Sequence, residues 1–145
     1  ILNQTIDNFN IKDFKNSLDV KNFDISFTRG LNLEDGCATI TKYTAYLISE
    51  GLKKIDEINK LKTLNLYLCG GGRKNKTLIK NIEEYLNNKK ITLRNIDEYE
   101  FDGDFIESQA FAYLAIRSYL GLPISYPNTT RTMRPISGGL IIKNY

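Results

Sequence analysis

The chain has 145 residues, of which 41% are hydrophobic and 11% aromatic, and its formal net charge is +3. This length suits one domain or one lobe of a larger protein, and the composition excludes an intrinsically disordered chain. The net charge is too small, and the basic residues too dispersed, to indicate a nucleic-acid-binding protein. No apolar run is long enough for a membrane span, so we expect no membrane partner.

The chain contains no histidine, which excludes Ser-His and Cys-His nucleophiles and most zinc sites. Acid–base chemistry would have to come from Asp, Glu, Lys or Tyr. The two cysteines, Cys37 and Cys69, fall in different predicted elements and lack the spacing of a metal site. Reduced thiols, and no signal peptide ahead of the domain, predict a cytoplasmic protein.

The first part of the chain is predicted to be an irregular segment, residues 1–31, with a short helix near residues 11–16. A long helix follows, with Asn32 as its N-cap and its end near residue 59, because acidic residues follow the cap and apolar residues recur at steps of three and four. This predicted apolar stripe comprises Cys37, Ile40, Tyr43 or Thr44, Leu47, Ile48, Leu52, Ile55 and Ile58.

The remainder alternates strands and helices. The patterns predict a strand over residues 64–69, an amphipathic helix over 77–88 that ends at Asn87–Asn88, and a second strand over 91–96. Residues 105–120 are apolar nearly all round, which predicts a helix buried on most sides. Residues 138–142 are predicted to form a short strand or extended segment. This order favours an α/β layer with parallel strands joined by a right-handed crossover.

The most informative stretch joins the first strand to the next helix, and it contains Gly70, Gly71, Gly72 and Asn75. Glycines at such a turn let a ligand approach the backbone, and the helix amides beyond can bind a phosphate or another polar group. The stretch is neither G-x-G-x-x-G nor a P-loop, which has Gly in place of Asn75. A turn without a ligand is the alternative, and an N-cap explains Asn75 about equally well.

Two further stretches carry polar side chains suited to a site. Asp104 and Glu107 open the apolar helix at capping-box spacing. Glu107 therefore either caps the helix, which the spacing alone favours, or faces a sugar hydroxyl in a cleft. Residues 126–134 combine hydroxyls with two arginines. They are predicted to form a solvated surface loop, with an anionic or sugar ligand as the alternative.

Several stretches together resemble the anhydro-N-acetylmuramic acid kinases, a family of the sugar kinase/Hsp70/actin superfamily. Residues 68–75 (LCGGGRKN) resemble the family's C-G-G-G-x-x-N signature, and residues 107–115 (ESQAFAYLA) resemble its E-A-x-A-F-A-W-L-A helix. Residues 31–39 (LNLEDGCAT) resemble L-S-L-E-D-G-A-A-T, and residues 17–19 resemble the start of S-L-D-R-N-D-F. Gly121-Leu122-Pro123 is followed by a Pro and a Thr, as in the family. These motifs occur in the family's order over about residues 17–142.

The resemblance implies the C-terminal lobe of an actin-like ATPase (ribonuclease H-like) fold, a sheet flanked by helices, with the nucleotide-binding lobe at residues 32–145. It implies an enzyme that uses ATP and Mg²⁺ to convert 1,6-anhydro-N-acetylmuramic acid to N-acetylmuramic acid 6-phosphate in peptidoglycan recycling. Gly70, Gly71, Gly72 and Asn75 would bind the nucleotide, and Glu107 would lie on the sugar side. The catalytic aspartate and first phosphate loop would belong to an N-terminal kinase lobe outside this chain.

The chain departs from the family pattern at four positions. Val20 and Lys21 stand where the family has Arg and Asn, and Glu100 and Arg131 stand where it has Gly. We expect the changes at Val20 and Arg131 to weaken sugar binding, because valine cannot make an arginine's contacts and the Arg131 side chain restricts a backbone that glycine leaves free. One alternative is a non-catalytic remnant or interaction module that packs against a partner lobe or forms a homodimer through its apolar helix. Another is a nucleotide-sensing domain without sugar chemistry.

Overall fold

The computed structural model describes residues 21, 23–59, 63–87 and 90–142. The predictions for residues 1–20, including the short helix, the motif at residues 17–19 and the departure at Val20, lie outside these residues. The chain divides into two compact units, Ile1–Asn95 and Ile96–Tyr145. The predicted division at residue 31 stays a prediction.

The first unit alternates helices and strands: α1 (Leu33–Asn59), β1 (Leu64–Leu68), α2 (Lys76–Leu86) and β2 (Ile91–Asn95). The two strands pair in parallel, with Leu64 opposite Ile91 and Leu68 opposite Asn95. Parallel neighbours need a crossover connection, and α2 lies in that connection. The predicted order and the mixed α/β class are therefore confirmed, and each boundary lies within two residues of its predicted position.

The core of the first unit lies between α1, α2 and one face of the strand pair. It is formed by Ala45, Leu52, Ile82, Leu86 and Ile91, against which Leu64, Leu66 and Leu93 pack. On the opposite face of the strands, Tyr67 and Arg94 are exposed. This alternation follows from the two-residue period of a strand. The β1–α2 connection consequently lies between half-buried residues of β1 and the buried Ile82 and Leu86 of α2.

The start of α1 is capped as the sequence predicts. Asn32 Oδ1 accepts a hydrogen bond from the Asp35 amide at 2.8 Å, and Asn32 Nδ2 donates to the Asp35 carboxylate at 2.9 Å. Glu34 and Asp35 lie in the first turn, where the helix dipole favours negative charge. The cap fixes the residue at which α1 begins.

The predicted apolar stripe of α1 is partly wrong. Ala45 and Ser49 are fully buried, whereas Ile48 and Ile55 are 40% and 45% exposed. Small side chains four residues apart let α1 approach α2 closely, and the Ser49 hydroxyl donates to the Ala45 carbonyl at 2.8 Å, so its burial leaves no unpaired donor. Alanine and serine give little hydropathy signal, which is why the sequence pattern favoured the neighbouring isoleucines.

The second unit contains α3 (Ile106–Tyr119) and the short helix α4 (Pro127–Thr130). The prediction that α3 is buried on most sides is wrong for this chain, because none of its residues is buried and Phe111 and Tyr119 are 64% and 73% exposed. An apolar sequence indicates that a helix is stabilised by packing against another segment. It does not indicate which segment packs against it.

The end of the chain packs on α3 without forming a strand. An antiparallel bridge joins Ser125 to Ile136, and residues 137–142 have no regular structure, so of the two predicted alternatives the strand is wrong and the extended segment stays a prediction. The Ser118 hydroxyl donates to the Gly138 carbonyl, and a Cβ at Gly139 would collide with that hydroxyl. None of the described helices is both long and apolar enough to cross a membrane.

Candidate functional site

The glycine turn, residues 70–75, lies at the carboxyl end of β1. Gly70 has φ 74° and ψ 176°, a backbone conformation that is essentially restricted to glycine. A 3₁₀ turn over Gly71–Lys74 follows, and α2 begins at Lys76. Ligands of α/β proteins bind outside the carboxyl ends of parallel strands, so the turn occupies a position suited to a ligand.

The backbone of this turn is open to a ligand. A Cβ added at Gly70 or Gly71 would meet no atom within 4 Å, and one at Gly72 would lie 3.8 Å from Leu78 Cδ2. Gly71 and Gly72 are not among the glycines with positive φ. Neither backbone conformation nor crowding within the chain therefore explains why these two positions carry no side chain. The first amides of a helical turn lack partners inside it, and such amides bind phosphates and other polar groups.

Asn75 is the N-cap of α2. Its Oδ1 accepts a hydrogen bond from the Leu78 amide at 3.0 Å, and its own amide donates to the Gly72 carbonyl at 3.1 Å. The capping alternative from the sequence is therefore confirmed for the side-chain oxygen. Because Oδ1 is engaged in the cap, a ligand contact by the Asn75 side chain would use its other polar atom, Nδ2.

Arg73 is a residue of this turn that the sequence analysis missed. It is half-buried, and its Nη1 donates to the Gly70 carbonyl at 2.9 Å. The only sequence signal for a role of Arg73 was its position within the glycine turn. Sequence spacing does not indicate which carbonyl oxygen an arginine side chain will bond.

Glu107 is exposed and lies in the first turn of α3. The N-cap is Phe105, which makes no side-chain capping bond, so the predicted cap at Asp104 is wrong by one residue. The Asp104 amide instead donates to Asp102 Oδ1 at 2.9 Å in a local turn before the helix. Capping-box spacing consequently does not account for Glu107, whose carboxylate lies at the helix surface.

The segment at residues 126–134 is exposed except at Thr132, as predicted for a solvated surface segment, but it is not all loop. It begins with α4 and is held to α3 by Arg117, another residue that the sequence analysis missed. Arg117 Nε donates to the Pro123 carbonyl at 2.7 Å, and Nη2 donates to the Tyr126 hydroxyl at 2.8 Å. Arg117 Nη1 also donates to the Tyr113 hydroxyl at 3.1 Å. The sequence could not predict these contacts, because nothing in a helical sequence indicates that an arginine will bond residues six and nine positions later.

The structure brings together the four predicted nucleotide-side residues, Gly70, Gly71, Gly72 and Asn75, in the first unit. Glu107 and the loop at residues 126–134 lie in the second unit. Within the described ranges, no group of three or more His, Cys, Asp or Glu residues is arranged to hold a metal ion. Cys37 and Cys69 are both exposed, free thiols.

These features define an α/β protein with an open, cationic glycine turn at the end of a parallel strand. The family model described as "Anhydro-N-acetylmuramic acid kinase" matches residues 7–144. The chain is 52% identical to the anhydro-N-acetylmuramic acid kinase of Pelagibacter ubique (strain HTCC1062), with all of this chain and 39% of that protein aligned.

Two further relatives carry the same name. The chain is 39% identical to the protein of Methylorubrum populi over 86% of the chain and 31% of that protein. It is 36% identical to the protein of Zymomonas mobilis over 86% of the chain and 32% of that protein. The chain therefore belongs to the anhydro-N-acetylmuramic acid kinase family, which confirms the resemblance seen in its motifs. It spans between 31% and 39% of the length of these three relatives.

Proposed function

We propose that this chain is the C-terminal part of a sugar kinase that uses ATP to convert 1,6-anhydro-N-acetylmuramic acid to N-acetylmuramic acid 6-phosphate in peptidoglycan recycling. The names of the relatives support the kinase activity, and their greater length supports a further N-terminal lobe that completes the site. The free thiols of Cys37 and Cys69 suit the reducing cytoplasm, where we place the reaction.

The observation that carries this proposal is the pair of glycines at positions 71 and 72. Glycine lowers stability by about 0.5–1 kcal/mol relative to alanine where its conformation is not needed. Gly71 and Gly72 have no positive φ, and a Cβ added at Gly71 would have no neighbour within 4 Å. Close approach of a ligand to the backbone explains both residues, and a phosphate-bearing nucleotide suits the amides of a helix start.

The residues of this chain have distinct parts in the proposed reaction. The amides of Gly71 and Gly72, with Asn75 Nδ2, would bind ATP. Water adds at C1 as the C1–O6 bond of the anhydro ring breaks, and O6 accepts the γ-phosphoryl group with release of ADP. The Glu107 carboxylate would accept a hydrogen bond from a sugar hydroxyl and so orient the ring. Phosphoryl transfer depends mainly on such positioning and on charge stabilisation. We assign Mg²⁺, the catalytic aspartate and the first phosphate loop to the complete enzyme.

Complementation tests this function. The 145-residue chain would be mixed with the N-terminal part of the Pelagibacter ubique relative, and phosphorylation of the anhydro sugar would be measured with ATP. We expect turnover from the mixture and none from either part alone. A mixture that forms a complex but phosphorylates no anhydro sugar would contradict the proposal.

Glu107→Gln tests the sugar-side assignment in the same mixture. A hydrogen bond to a charged group is worth about 1.5–3 kcal/mol, so we expect turnover to fall roughly 10- to 100-fold. The melting temperature should stay within about 2 °C, since Glu107 makes no capping bond to the N-cap of α3. A drop of several degrees with unchanged turnover would instead assign Glu107 a purely structural role.

A non-catalytic interaction module is the second candidate. It is favoured by the exposed apolar side chains of α3, of which Phe111 and Tyr119 are the clearest cases. Large exposed apolar surfaces mark interaction sites, including a homodimer contact. Concentration-dependent self-association of the chain, together with no binding of ATP, would favour this candidate over the kinase.

A further inference from the structure

Arg73 makes two contacts with one carbonyl oxygen at the start of the glycine turn. Its backbone amide donates to the Gly70 oxygen at 3.3 Å, and its Nη1 donates to the same oxygen at 2.9 Å. A carbonyl oxygen has two lone pairs, so Arg73 supplies a donor for each. The Arg73 side chain thereby links its own position to Gly70, three residues earlier in the turn.

The Gly70 carbonyl needs such support. With φ 74° and ψ 176°, Gly70 lies in a region that glycine enters readily and leaves equally readily. Conformations of this kind persist only when surrounding contacts over-determine them. The charged Nη1 bond is the shorter of the two contacts, and charge-assisted hydrogen bonds are about twice as strong as neutral ones.

The guanidinium also changes the electrostatics of the turn. A carbonyl oxygen carries partial negative charge and repels a phosphate that approaches it. A guanidinium bonded to that oxygen compensates this charge and adds a formal positive charge beside the Gly71 and Gly72 backbone. An anionic ligand that approaches the amides of the turn is therefore repelled less by the Gly70 carbonyl oxygen.

We propose that Arg73 is a positioning residue for the nucleotide: it holds the Gly70 carbonyl, and through it the orientation of the Gly71 and Gly72 amides. The inference rests on the proposed binding of ATP at this turn. It concerns a position that the family signature C-G-G-G-x-x-N leaves unspecified. Arg73 acts through the backbone of Gly70, and its removal disturbs the ligand site without removing a ligand contact.

An ATP titration of the ¹⁵N-labelled 145-residue chain tests this inference by NMR. The readouts are the Gly70, Gly71 and Gly72 amide resonances without ligand and the Kd for ATP. We expect Arg73→Met to shift these resonances in the free chain and to raise the Kd roughly 3- to 10-fold, as expected for the loss of one hydrogen bond. Arg73→Lys keeps one donor and the charge, so it should recover part of the affinity.

Lys76→Met is the matched control, because Lys76 is an exposed cation at the start of α2 and its replacement removes the same charge. We expect it to leave the free glycine resonances in place and to change the Kd less than about 2-fold. Equal weakening by Arg73→Met and Lys76→Met would show general charge attraction and overturn the positioning role. Should Arg73→Met fail to fold, the comparison of Arg73→Lys with Lys76→Met decides the question by the same two readouts.

The outcomes separate this inference from the proposed function. If ATP shifts no resonance of the turn in the unmodified chain, nucleotide binding at the turn is overturned, and the role of Arg73 is overturned with it. If the unmodified chain binds ATP and Arg73→Met binds it equally well, the nucleotide site stands and only the role of Arg73 is overturned.

Discussion

Glu100 and Arg131 adopt left-handed backbone conformations that L-amino acids rarely take, with φ of 65° and 56°. They are the two positions at which the chain has a side chain where the family resemblance has Gly. At both positions the backbone therefore adopts a conformation that suits glycine better than a residue with a side chain. The left-handed region costs a non-glycine residue about 1–2 kcal/mol.

Glu100→Gly is expected to stabilise the chain. Relief of the left-handed conformation outweighs the added freedom of glycine in the unfolded chain, and we predict a net gain of about 0.5–1 kcal/mol. Thermal unfolding would show this as a rise of a few degrees. Glu98→Gly is the matched control. Glu98 lies in the 3₁₀ turn Ile96–Tyr99, just before Glu100, and has no positive φ, so its change should lower the melting temperature. A similar drop for both variants would contradict the account.

At the same scale, the sequence predicted the caps better than the side-chain contacts. Asn32 and Asn75 were recognisable because capping depends on neighbours three residues away. The left-handed conformation of Glu100 was not recognisable from its residue type, since glutamate has no preference for it. The contacts of Arg73 and Arg117 were missed because a long flexible cation can reach many acceptors, and only the folded backbone selects one.

At the scale of elements, the Arg117 side chain attaches α3 to the segment that follows it. The three donor nitrogens of Arg117 bond the Pro123 carbonyl and the hydroxyls of Tyr126 and Tyr113. Its guanidinium also lies 5.5 Å from the centre of the Tyr113 ring, within range of a cation–π interaction. Since α3 has no buried residue of its own, the bonds to Pro123 and Tyr126 are prominent among its described contacts outside the helix.

Arg117→Met keeps the apolar stem and removes all of these polar contacts. We predict a local loss of about 1–2 kcal/mol, because the bonds are partly solvated. Hydrogen exchange of the amides at residues 124–131 should accelerate roughly 5- to 30-fold. Arg134→Met is the control, since Arg134 is exposed in the same segment. Equal exchange rates in the two variants would show that Arg117 does not hold this segment.

The elements themselves were largely predictable, and their burial was not. The bounds of β1, α2, β2 and α3 follow from apolar periodicity, turn residues and caps, which are local properties. Burial depends on what lies opposite an element. Ala45 and Ser49 were missed because α2 packs on them, and α3 was wrongly predicted as buried because, in the described part of the chain, its apolar side chains are left exposed.

At the scale of the whole molecule, the chain divides into two compact units. The glycine turn belongs to one compact unit and Glu107 to the other, and the chain spans 39% of the length of its Pelagibacter ubique relative. A part of this size would carry the nucleotide turn and a sugar-side carboxylate without the remainder of the reaction centre. The sequence predicted this partial character from its motifs, and the lengths of the relatives support it.

The affinity of Gly71→Ala for ATP tests the central claim most directly. Gly71 has no positive φ, and open space surrounds the position that a Cβ would take, so the fold should tolerate alanine with an unchanged or slightly higher melting temperature. A bound nucleotide would need that space, and we predict that the Kd for ATP rises roughly 10-fold, equivalent to about 1.4 kcal/mol.

Gly36→Ala makes the same change in α1, where a Cβ also meets no atom within 4 Å, and should leave the Kd unchanged. Weaker ATP binding by Gly71→Ala, at preserved stability and with normal binding by Gly36→Ala, is the result that the account predicts. Unchanged ATP affinity in Gly71→Ala would contradict it, because the glycine turn would then be a connection between β1 and α2 with no ligand at its backbone.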